Sequence, residues 1–281
     1  MVQPAARAAV RLGDTTVTFL PDGHARVVPA AAFPASGPDG WARHAAYLDP
    51  DGRLPISIGS FLVRTPGRAI LVDLGLGAVD FAVPGLASFR GGALLDALAA
   101  EGLRPDEIDT VVYTHLHHDH VGWTSRDGRL TFENARHLVA ADEWKRWHGT
   151  SEAIGPDPDA VQAPLADRIA FVADGEDIAP GLRVLATPGH TPGHLSLVVT
   201  GGDRRLIILG DVMHCQVQVS ESAWAFRFDD DPEQAAATRE RLLRELEDER
   251  TLVAGGHFAG TVFGRVLPPV ARRAFGALTA A

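Results

Sequence analysis

The sequence is short of cysteine, of positive charge and of long apolar runs, and each shortage excludes a class of protein. Cys215 is the one cysteine among 281 residues, so no internal disulfide can form and a reducing compartment is indicated. No apolar run approaches the ~18 residues that a membrane span needs. The first residues carry two arginines but no continuous apolar stretch, which disfavours a secretory signal. We therefore expect a cytoplasmic protein that does not enter a membrane.

Acidic residues outnumber basic ones, 36 to 26, and the formal net charge is −10. This balance disfavours nucleic acid as a partner, because binding to a phosphate backbone needs clustered lysine and arginine. An anionic small molecule is not excluded, since a bound metal can supply local positive charge. The expected partner is a small-molecule substrate, and a homodimer is left open.

No internal repeat and no flexible linker interrupts the chain, which predicts one domain over residues 1–281. We expect an N-terminal tail and a cap or loop over residues 1–56, and a core over residues 57–260. The order of strand-like and helical stretches predicts an α/β fold with two sheets inside and helices outside.

Local patterns predict single elements. "TTVTFL" and "HARVV" are typical of two strands joined by the turn "PDG". Residues 76–90 are apolar without a clear period, which predicts a loop that covers something. "SAWAFRF" alternates like a strand, and "DPEQAAATRERLLRELEDE" predicts an amphipathic helix. After His257 only a short tail is expected.

The stretch "HLHHDH" gathers imidazoles and a carboxylate behind the buried strand "TVVY". Side chains two apart in an extended backbone point the same way, so His115 and His117 can reach one ion. Asp119 and His120 follow as the chain turns, and can address a second ion. Imidazole nitrogen and carboxylate oxygen are ligands that suit zinc. The pattern predicts a metal site, and its alternative is a histidine-rich surface loop.

Other polar residues stand at the ends of apolar runs further along the chain. They are His190 and His194 in "TPGHTPGHLSL", Asp211 at the end of "RLIILGD", and His257 at the end of "TLVAGGH". Layered α/β proteins tend to display functional groups at the carboxyl ends of their strands. These residues are therefore candidates to complete the coordination of the metal.

Taken in order, HxHxDH, TPGHTxGH, "GD" after an apolar run and a late "GGH" resemble the metallo-β-lactamase superfamily. The resemblance implies a four-layer αββα sandwich with two divalent metal ions, zinc by preference, at one edge. It also implies the ligands: His115, His117 and His194 for the first ion, Asp119, His120 and His257 for the second, and Asp211 bridging both. His190 is then either a structural residue or one that hydrogen-bonds to a ligand.

The resemblance implies hydrolysis as the chemistry. Two ions about 3.5–4 Å apart can share a water and lower its pKa from ~15.7 towards neutrality, so that a bridging hydroxide attacks an ester or a lactone. Asp119 is the predicted catalytic residue, because it can orient the hydroxide and carry a proton to the leaving group. Asp73, at the end of "ILVD", is expected to bond the metal-site loop from behind.

Departures from other subfamilies favour the lactonase and organophosphate-hydrolase branch. The acidic Asp211 stands where a true β-lactamase typically has cysteine or serine, and little chain follows His257 to form a helical thioesterase domain. His214 occupies the position at which many similar lactonases carry a tyrosine. Two alternatives stay open, a phosphotriester hydrolase and an iron-dependent sulfur dioxygenase. Residues near the metal motifs that could line a substrate pocket are Trp123, Met213, His214, Trp224 and Phe226.

Overall fold

The computed structural model describes residues 2–37, 39–269 and 271–278, and most of its strands form two large sheets. The strands of the first sheet are β1 (Ala8–Leu12), β2 (Thr15–Val27), β3 (Leu54–Thr65), β4 (Arg68–Val72), β5 (Asp80–Val83), β6 (Ala87–Arg90), β7 (Thr110–Val112), β10 (Arg136–Ala140) and β11 (Ile169–Val172). They have the order β11-β10-β7-β4-β3-β2-β6-β5, and β1 pairs with β2. A separate small hairpin joins β8 (Ser125–Arg126) to β9 (Arg129–Leu130).

The strands of the second sheet are β12 (Asp177–Ala179), β13 (Leu182–Ala186), β14 (Leu195–Gly201), β15 (Arg204–Ile208), β16 (Thr251–Ala254), β17 (Phe263–Leu267) and β18 (Ala274–Ala277). They lie side by side in chain order. The two sheets pack face to face over one core. In that core the ring of Phe61 on β3 lies 5.8 Å from the ring of Phe263 on β17. Alternating apolar residues on both inner faces create this contact surface.

Helices cover the outer faces of both sheets. The helices are α1 (Pro29–Ala32), α2 (Leu94–Ala100), α3 (His118–Val121), α4 (Ala141–Trp147), α5 (Ala163–Leu165) and α6 (Pro232–Leu246). Leu94, Leu98 and Trp147 pack on the first sheet, and Leu242 and Leu243 pack on the second. The predicted four-layer αββα sandwich is therefore confirmed.

Short 3₁₀ or π turns complete the secondary structure, and they are Pro34–Ser36, Gly40–Tyr47, Pro105–Glu107, Pro158–Gln162, Gly210–Val212 and Gln216–Val219. No helix among the described residues combines the length and the hydrophobicity that a membrane crossing would require.

The N-terminal hairpin prediction was wrong. Residues 15–27 form one strand with a bulge between Pro21 and Gly23, so the "PDG" signal marks a bulge and not a turn. A Cβ on Gly23 would lie 2.0 Å from the carbonyl oxygen of Arg90, so glycine is required for this close approach. Strands β1 and β2 belong to the first sheet, and the core therefore extends well before residue 57.

Three other local predictions also need correction. Residues 76–90 contain the hairpin β5–β6, whose turn uses Gly85 at a φ of 74°. "SAWAFRF" forms turns and no strand. The segment after His257 supplies β17 and β18 to the second sheet, where a tail was expected. Pairing of β6 with β2 and of β17 with β16 decides the first and the last of these cases.

Candidate metal centre

The histidine-rich loop follows β7, which ends at Val112, and leads into α3. Asp73 fixes this loop from behind: its carboxylate accepts hydrogen bonds from the Thr114 amide at 2.7 Å and the Thr114 hydroxyl at 2.8 Å. Asp73 itself has a φ of 62°. The imidazoles of His115 and His117 lie 4.6 Å apart between ring centroids. They converge because of the loop, since the chain has left the strand by that point.

The structure brings seven histidine and aspartate side chains into two adjoining groups. Within each group the potential ligand atoms lie within 4.8 Å of one another. The first group is His115, His117, His190 and Asp211, and the second is Asp119, His120 and His257. Six of the seven predicted ligands are in these groups, and one predicted ligand has been exchanged for another histidine.

Asp211 lies between the two groups. Its Oδ1 is 3.1 Å from Nε2 of His257 and 3.3 Å from Nε2 of His120. Its Oδ2 is 3.4 Å from Nε2 of His190 and 3.7 Å from Nε2 of His115. One carboxylate thus faces both groups, which is the arrangement that a bridging ligand needs.

Of the two histidines in "TPGHTPGH", the structure turns His190, and not the expected ligand His194, towards the cluster. His190 faces the cluster, with its Nε2 3.0 Å from Nδ1 of His117. His194 is buried beside the cluster with both ring nitrogens occupied. Its Nε2 accepts a hydrogen bond from the Asp211 amide at 2.8 Å, and its Nδ1 donates to the Thr187 carbonyl at 3.1 Å. His194 therefore has no lone pair to offer a cation and supports the backbone of Asp211 instead.

Two close helix contacts explain this exchange. A Cβ on Gly189 would lie 2.3 Å from the amide nitrogen of Ala235 in α6, and one on Gly193 would lie 2.1 Å from that of Glu143 in α4. The loop is thus held tightly between the two helices. It turns between the two glycines, so that His190 points into the cluster and His194 points under it.

Hydrogen bonds to the outer ring nitrogens orient three of the clustered histidines. Nδ1 of His120 lies 2.9 Å from the Asp73 carboxylate, and Nδ1 of His190 lies 2.9 Å from the Asp229 carboxylate. Nδ1 of His257 donates to the backbone carbonyl of Ser57 at 2.8 Å. Such contacts fix the tautomer that leaves Nε2 free for a cation. The expected role of Asp73 matches this geometry.

Asp229 was missed by the sequence interpretation. It lies within the run "DDD" before α6, where an acidic residue is most simply explained as a helix cap. Only Asp231 caps the helix, by accepting from the Gln234 amide at 2.9 Å. Asp229 points inward to His190, and its Oδ2 lies 3.6 Å from the fully buried guanidinium of Arg239. Nothing in the local sequence separates these aspartates.

Burial and charge shift the pKa values within the cluster. Burial lowers the pKa of His115 and His117 well below the ordinary value. Burial also opposes charge on His120, yet the carboxylates of Asp211 and Asp73 raise its pKa well above the ordinary value. The pKa of Asp211 is lowered in spite of burial, because His257 and His120 stabilise its charge. The carboxylate is therefore held in the ionised form that binds cations.

The residues present fit a pair of divalent cations. His115 Nε2 and Asp211 Oδ1 are buried, and neither makes a hydrogen bond of acceptable geometry to any described residue. Buried polar atoms are nearly always satisfied, so orphaned acceptors that point into one cluster indicate a missing partner. A donor set of imidazole nitrogen and carboxylate oxygen without thiolate suits zinc and similar ions in an open site.

An apolar cavity opens directly onto the metal centre. Its polar lining is His117, His118, Asp119, Asp211, His214 and His257, and its walls are mostly aliphatic and aromatic. Two predicted pocket residues, His214 and Phe226, do line it, and their rings stack 3.7 Å apart. The wall also uses Leu86 and Phe89, so the apolar segment 76–90 does cover the site.

The other three predicted pocket residues lie elsewhere. Trp123 donates its indole N–H to the Asp22 carboxylate at 2.8 Å and packs under α2. Met213 is fully buried in the core beneath α6. Trp224 packs against Trp41, with the ring centroids 5.3 Å apart. Proximity in sequence to a metal ligand did not place these side chains in the cavity, because each of them packs into the core instead.

A wider groove continues from the cavity towards solvent. Its volume is about 710 Å³, and Leu86, Phe89 and His118 line both spaces. One side of the groove is the β5–β6 hairpin, with Val79, Phe81 and Val83 each 39% exposed. The other side is the segment from Ser151 to Val161. The metal centre is thus reached along an apolar path.

The chain is similar to known proteins over much of its length. The model of the metallo-beta-lactamase superfamily matches residues 55–257. The N-acyl homoserine lactonase of Bacillus thuringiensis is 25% identical over 224 residues, which cover 75% of this chain and 84% of that protein. Metallo-beta-lactamase domain-containing protein 1 of Xenopus laevis is 26% identical over 188 residues, covering 66% of this chain and 70% of that protein.

Solved structures resemble the whole chain. AidC, a dizinc quorum-quenching lactonase in complex with a product, N-hexnoyl-L-homoserine, has a TM-score of 0.84 at 21% identity, covering 99% of both chains. The hydrolase AbOPH in the beta lactamase superfamily has a TM-score of 0.84 at 27% identity, again covering 99% of both chains. At these identities the likeness concerns the fold.

Proposed function

The chain belongs to the metallo-β-lactamase superfamily, and on that premise we propose that it is a metal-dependent hydrolase of neutral, apolar carboxylic esters or lactones. One observation carries the proposal: a paired histidine and aspartate cluster forms the floor of a cavity whose walls are apolar. The floor supplies hydrolytic chemistry, and the walls select the substrate.

The charge of the cavity lining supports a neutral substrate. No lysine or arginine occurs among the described residues that line it. A thioester of a charged carrier, or a phosphate monoester, would bring negative charge that these walls leave unpaired at a cost of several kcal/mol. An acyl chain or an aryl group loses no such interaction and gains about 25 cal/mol for each Å² of apolar surface buried.

Each residue of the site has a proposed role. When bound, two divalent cations would acidify a water molecule and polarise the acyl oxygen. His115, His117 and His190 would hold one cation, Asp119, His120 and His257 the other, and Asp211 both. Asp119 is also part of the cavity lining, 3.5 Å from Nε2 of His257, so it can pass a proton to the leaving group.

His214 is the proposed hydrogen-bond donor to the substrate. Its ring nitrogens have no hydrogen-bond partner among the described residues, although Nε2 lies 3.2 Å from the Asp211 carboxylate. Burial lowers its pKa to about 4, so the neutral ring carries one N–H at pH 7. The stack on Phe226 holds the ring at the cavity wall. A donor fixed beside the reacting carbonyl stabilises charge that develops there.

A phosphotriester hydrolase is the competing proposal. Such a substrate is also neutral, and the aromatic rings of Phe89, Phe226 and Phe228 would accept an aryl leaving group. The iron-dependent sulfur dioxygenase is less well supported. The group Asp119, His120 and His257 is complete, and a single-ion site would not need it.

A substrate panel tests the proposal. The zinc-loaded protein is assayed with p-nitrophenyl esters, N-acyl lactones, a paraoxon-type triester, nitrocefin and glutathione thioesters, with and without a chelator. We expect chelator-sensitive turnover of the esters or lactones, and two zinc ions per chain by elemental analysis. Turnover of the triester alone would favour the competing proposal. Bound iron, or no chelator-sensitive turnover of any compound, would refute the ester and lactone assignment.

A further inference from the structure

Glu143 is a fully buried carboxylate that belongs to neither ligand group. We propose that Glu143 is a positioning residue, which clamps together the two loops that carry His115, His117 and His190 and thereby sets the affinity for one of the two cations. The inference rests on the proposed function in one respect, because it assumes that the cluster binds metal.

Its carboxylate bonds to both loops at once. Oε1 accepts a hydrogen bond at 2.9 Å from the amide of Leu116, the residue between His115 and His117. Oε2 accepts one at 2.6 Å from the hydroxyl of Thr191, the residue after His190. The two loops are 75 residues apart in the chain, and this one side chain bridges them beside the three imidazoles. We expect the separation of the loops at this point, and so the spacing of the imidazoles, to depend on it.

A third hydrogen bond of Glu143 holds the tryptophan ring that packs against His117. The indole N–H of Trp147, one helical turn after Glu143, donates to Oε1 at 2.7 Å. The Trp147 ring stands edge-on to the His117 ring, with 5.3 Å between centroids and an angle of 74°. Trp147 is itself fully buried. Glu143 therefore also holds the indole that limits rotation of the His117 ring.

The loop that carries Thr191 is packed tightly against the backbone of α4, so the distance that Glu143 spans is fixed. A Cβ on Gly193 would lie 2.1 Å from the amide nitrogen of Glu143 and 2.6 Å from its Cα. Glycine at 193 thus lets the loop rest directly on the first turn of α4. At that separation the carboxylate of Glu143 reaches both Thr191 and Leu116.

The other ligand group has separate supports. His120 is held by Asp73, and His257 is held by the Ser57 carbonyl. All three side-chain hydrogen bonds of Glu143 described above go to the surroundings of the first group. Loss of the carboxylate should therefore weaken the binding of one cation more than that of the other. A general loss of stability would weaken the binding of both cations.

The test is a zinc titration of the metal-free protein in competition with a chromophoric chelator. Wild-type protein is expected to show two binding events. Glu143→Ala should weaken one of them by about 10–100-fold, the usual effect of losing a partner that orients metal ligands, and leave the other unchanged. Glu143→Gln should restore both events. Its oxygen can still accept from Leu116 and Trp147, and its amide can donate to the Thr191 hydroxyl.

Asp22→Asn is the matched control. Asp22 is also a buried carboxylate, and it accepts hydrogen bonds from the amides of Leu76, Gly77, Gly92 and Leu94 and from the indole of Trp123. The new amide would face two backbone N–H groups, so thermal stability should fall while both zinc events persist. Equal weakening of one event in Asp22→Asn and Glu143→Ala would overturn the inference.

Thr191→Val keeps the test decisive if Glu143→Ala does not fold. It removes only the hydroxyl that bonds to Oε2, and it should weaken the same zinc event by a smaller factor. Two events of wild-type affinity in both Glu143→Ala and Thr191→Val, or in Thr191→Val alone when the alanine variant is insoluble, would refute the clamp and leave the proposed function standing. Absence of zinc binding by the wild-type protein would refute the proposed function and the clamp with it.

Discussion

The metal-binding floor and the apolar wall of the cavity are built in opposite ways. The floor consists of the seven clustered side chains, which stand in loops and short helical turns after strands. Hydrogen bonds from behind orient three of its histidines. The wall consists of Leu86, Phe89, Phe226 and Phe228 together with the β5–β6 hairpin, and it relies on packing. Six of the seven floor residues are almost fully buried, whereas several hairpin side chains are 39% exposed.

The contrast indicates that the floor and the wall have separate roles. Hydrogen-bonded polar groups hold a fixed geometry, which chemistry on a bound substrate requires. An exposed hairpin at a sheet edge can change its outward side chains at little cost to the fold. Substitutions in the floor should therefore act on metal content and turnover number, and substitutions in the wall should act on substrate choice.

The largest effect on zinc content and activity is expected when Asp211, the carboxylate that faces both ligand groups, is replaced. Asp211→Ala removes the one carboxylate that faces both ligand groups, so zinc content and turnover should fall together. We expect a loss in kcat/KM of at least about 10³-fold, the upper range for removing one polar group of an active site. Elemental analysis and steady-state kinetics measure it. Two zinc ions in an active Asp211→Ala protein would contradict the bridge.

The next largest effect separates His190 from His194. His190→Ala should lose one zinc ion and nearly all activity, because it removes a ring that faces the cluster. His194→Ala should still bind two ions at saturating zinc, but its affinity for one of them should fall by about 10–100-fold. The substitution removes only the hydrogen bond to the Asp211 amide. Zinc titration of the two variants in parallel decides the matter. The opposite ranking would restore the ligand set expected from the sequence.

His214 stands on the border between the floor and the wall. His214→Phe keeps the stack on Phe226 but removes the N–H, so the hydrogen bond to the substrate is lost while the shape stays. We expect kcat to fall by about 10²-fold with little change in KM or zinc content. A change in KM alone would assign His214 to the wall.

A substitution in the β5–β6 hairpin should have a smaller effect on kcat/KM, and one that depends on the substrate. Phe81 lies in the groove and stacks on Phe89 at 4.9 Å between centroids. Phe81→Ala should lower kcat/KM for p-nitrophenyl decanoate by about tenfold and leave p-nitrophenyl acetate unchanged, since only a long chain reaches the groove. Phe171→Ala is the control, because Phe171 is an exposed phenylalanine on β11 at the opposite edge of the same sheet. Equal effects in both variants would exclude a role for the groove.

The smallest effect is expected at Cys215. The thiol is 1% exposed among apolar side chains, and burial raises its pKa to about 12. It is therefore neither a nucleophile nor a ligand at neutral pH. Cys215→Ala should retain wild-type zinc content and turnover in the same assays. Loss of one zinc ion would bring Cys215 into the metal site.

Six of the seven side chains expected as metal ligands lie together in the structure, whereas only two of the five expected pocket residues line the cavity. The difference has a physical reason. His115, His117, Asp119 and His120 lie in one short motif, so local chain geometry already brings them together. Asp211 and His257 could be recognised because each ends a run of apolar residues that can only be a buried strand. For Trp123, Met213 and Trp224 no such rule holds, since a side chain beside a ligand can face the cavity or the core.

By itself the sequence determined the layered architecture, the strands that deliver the donors and the chemistry that those donors suit. Only the tertiary structure decided that His190 and not His194 faces the cluster, because contacts with α4 and α6 set the direction of the loop. It also decided that the β5–β6 hairpin forms a groove wall and that Glu143 joins two distant loops. Each of these depends on packing between segments far apart in the chain, for which local sequence carries no signal.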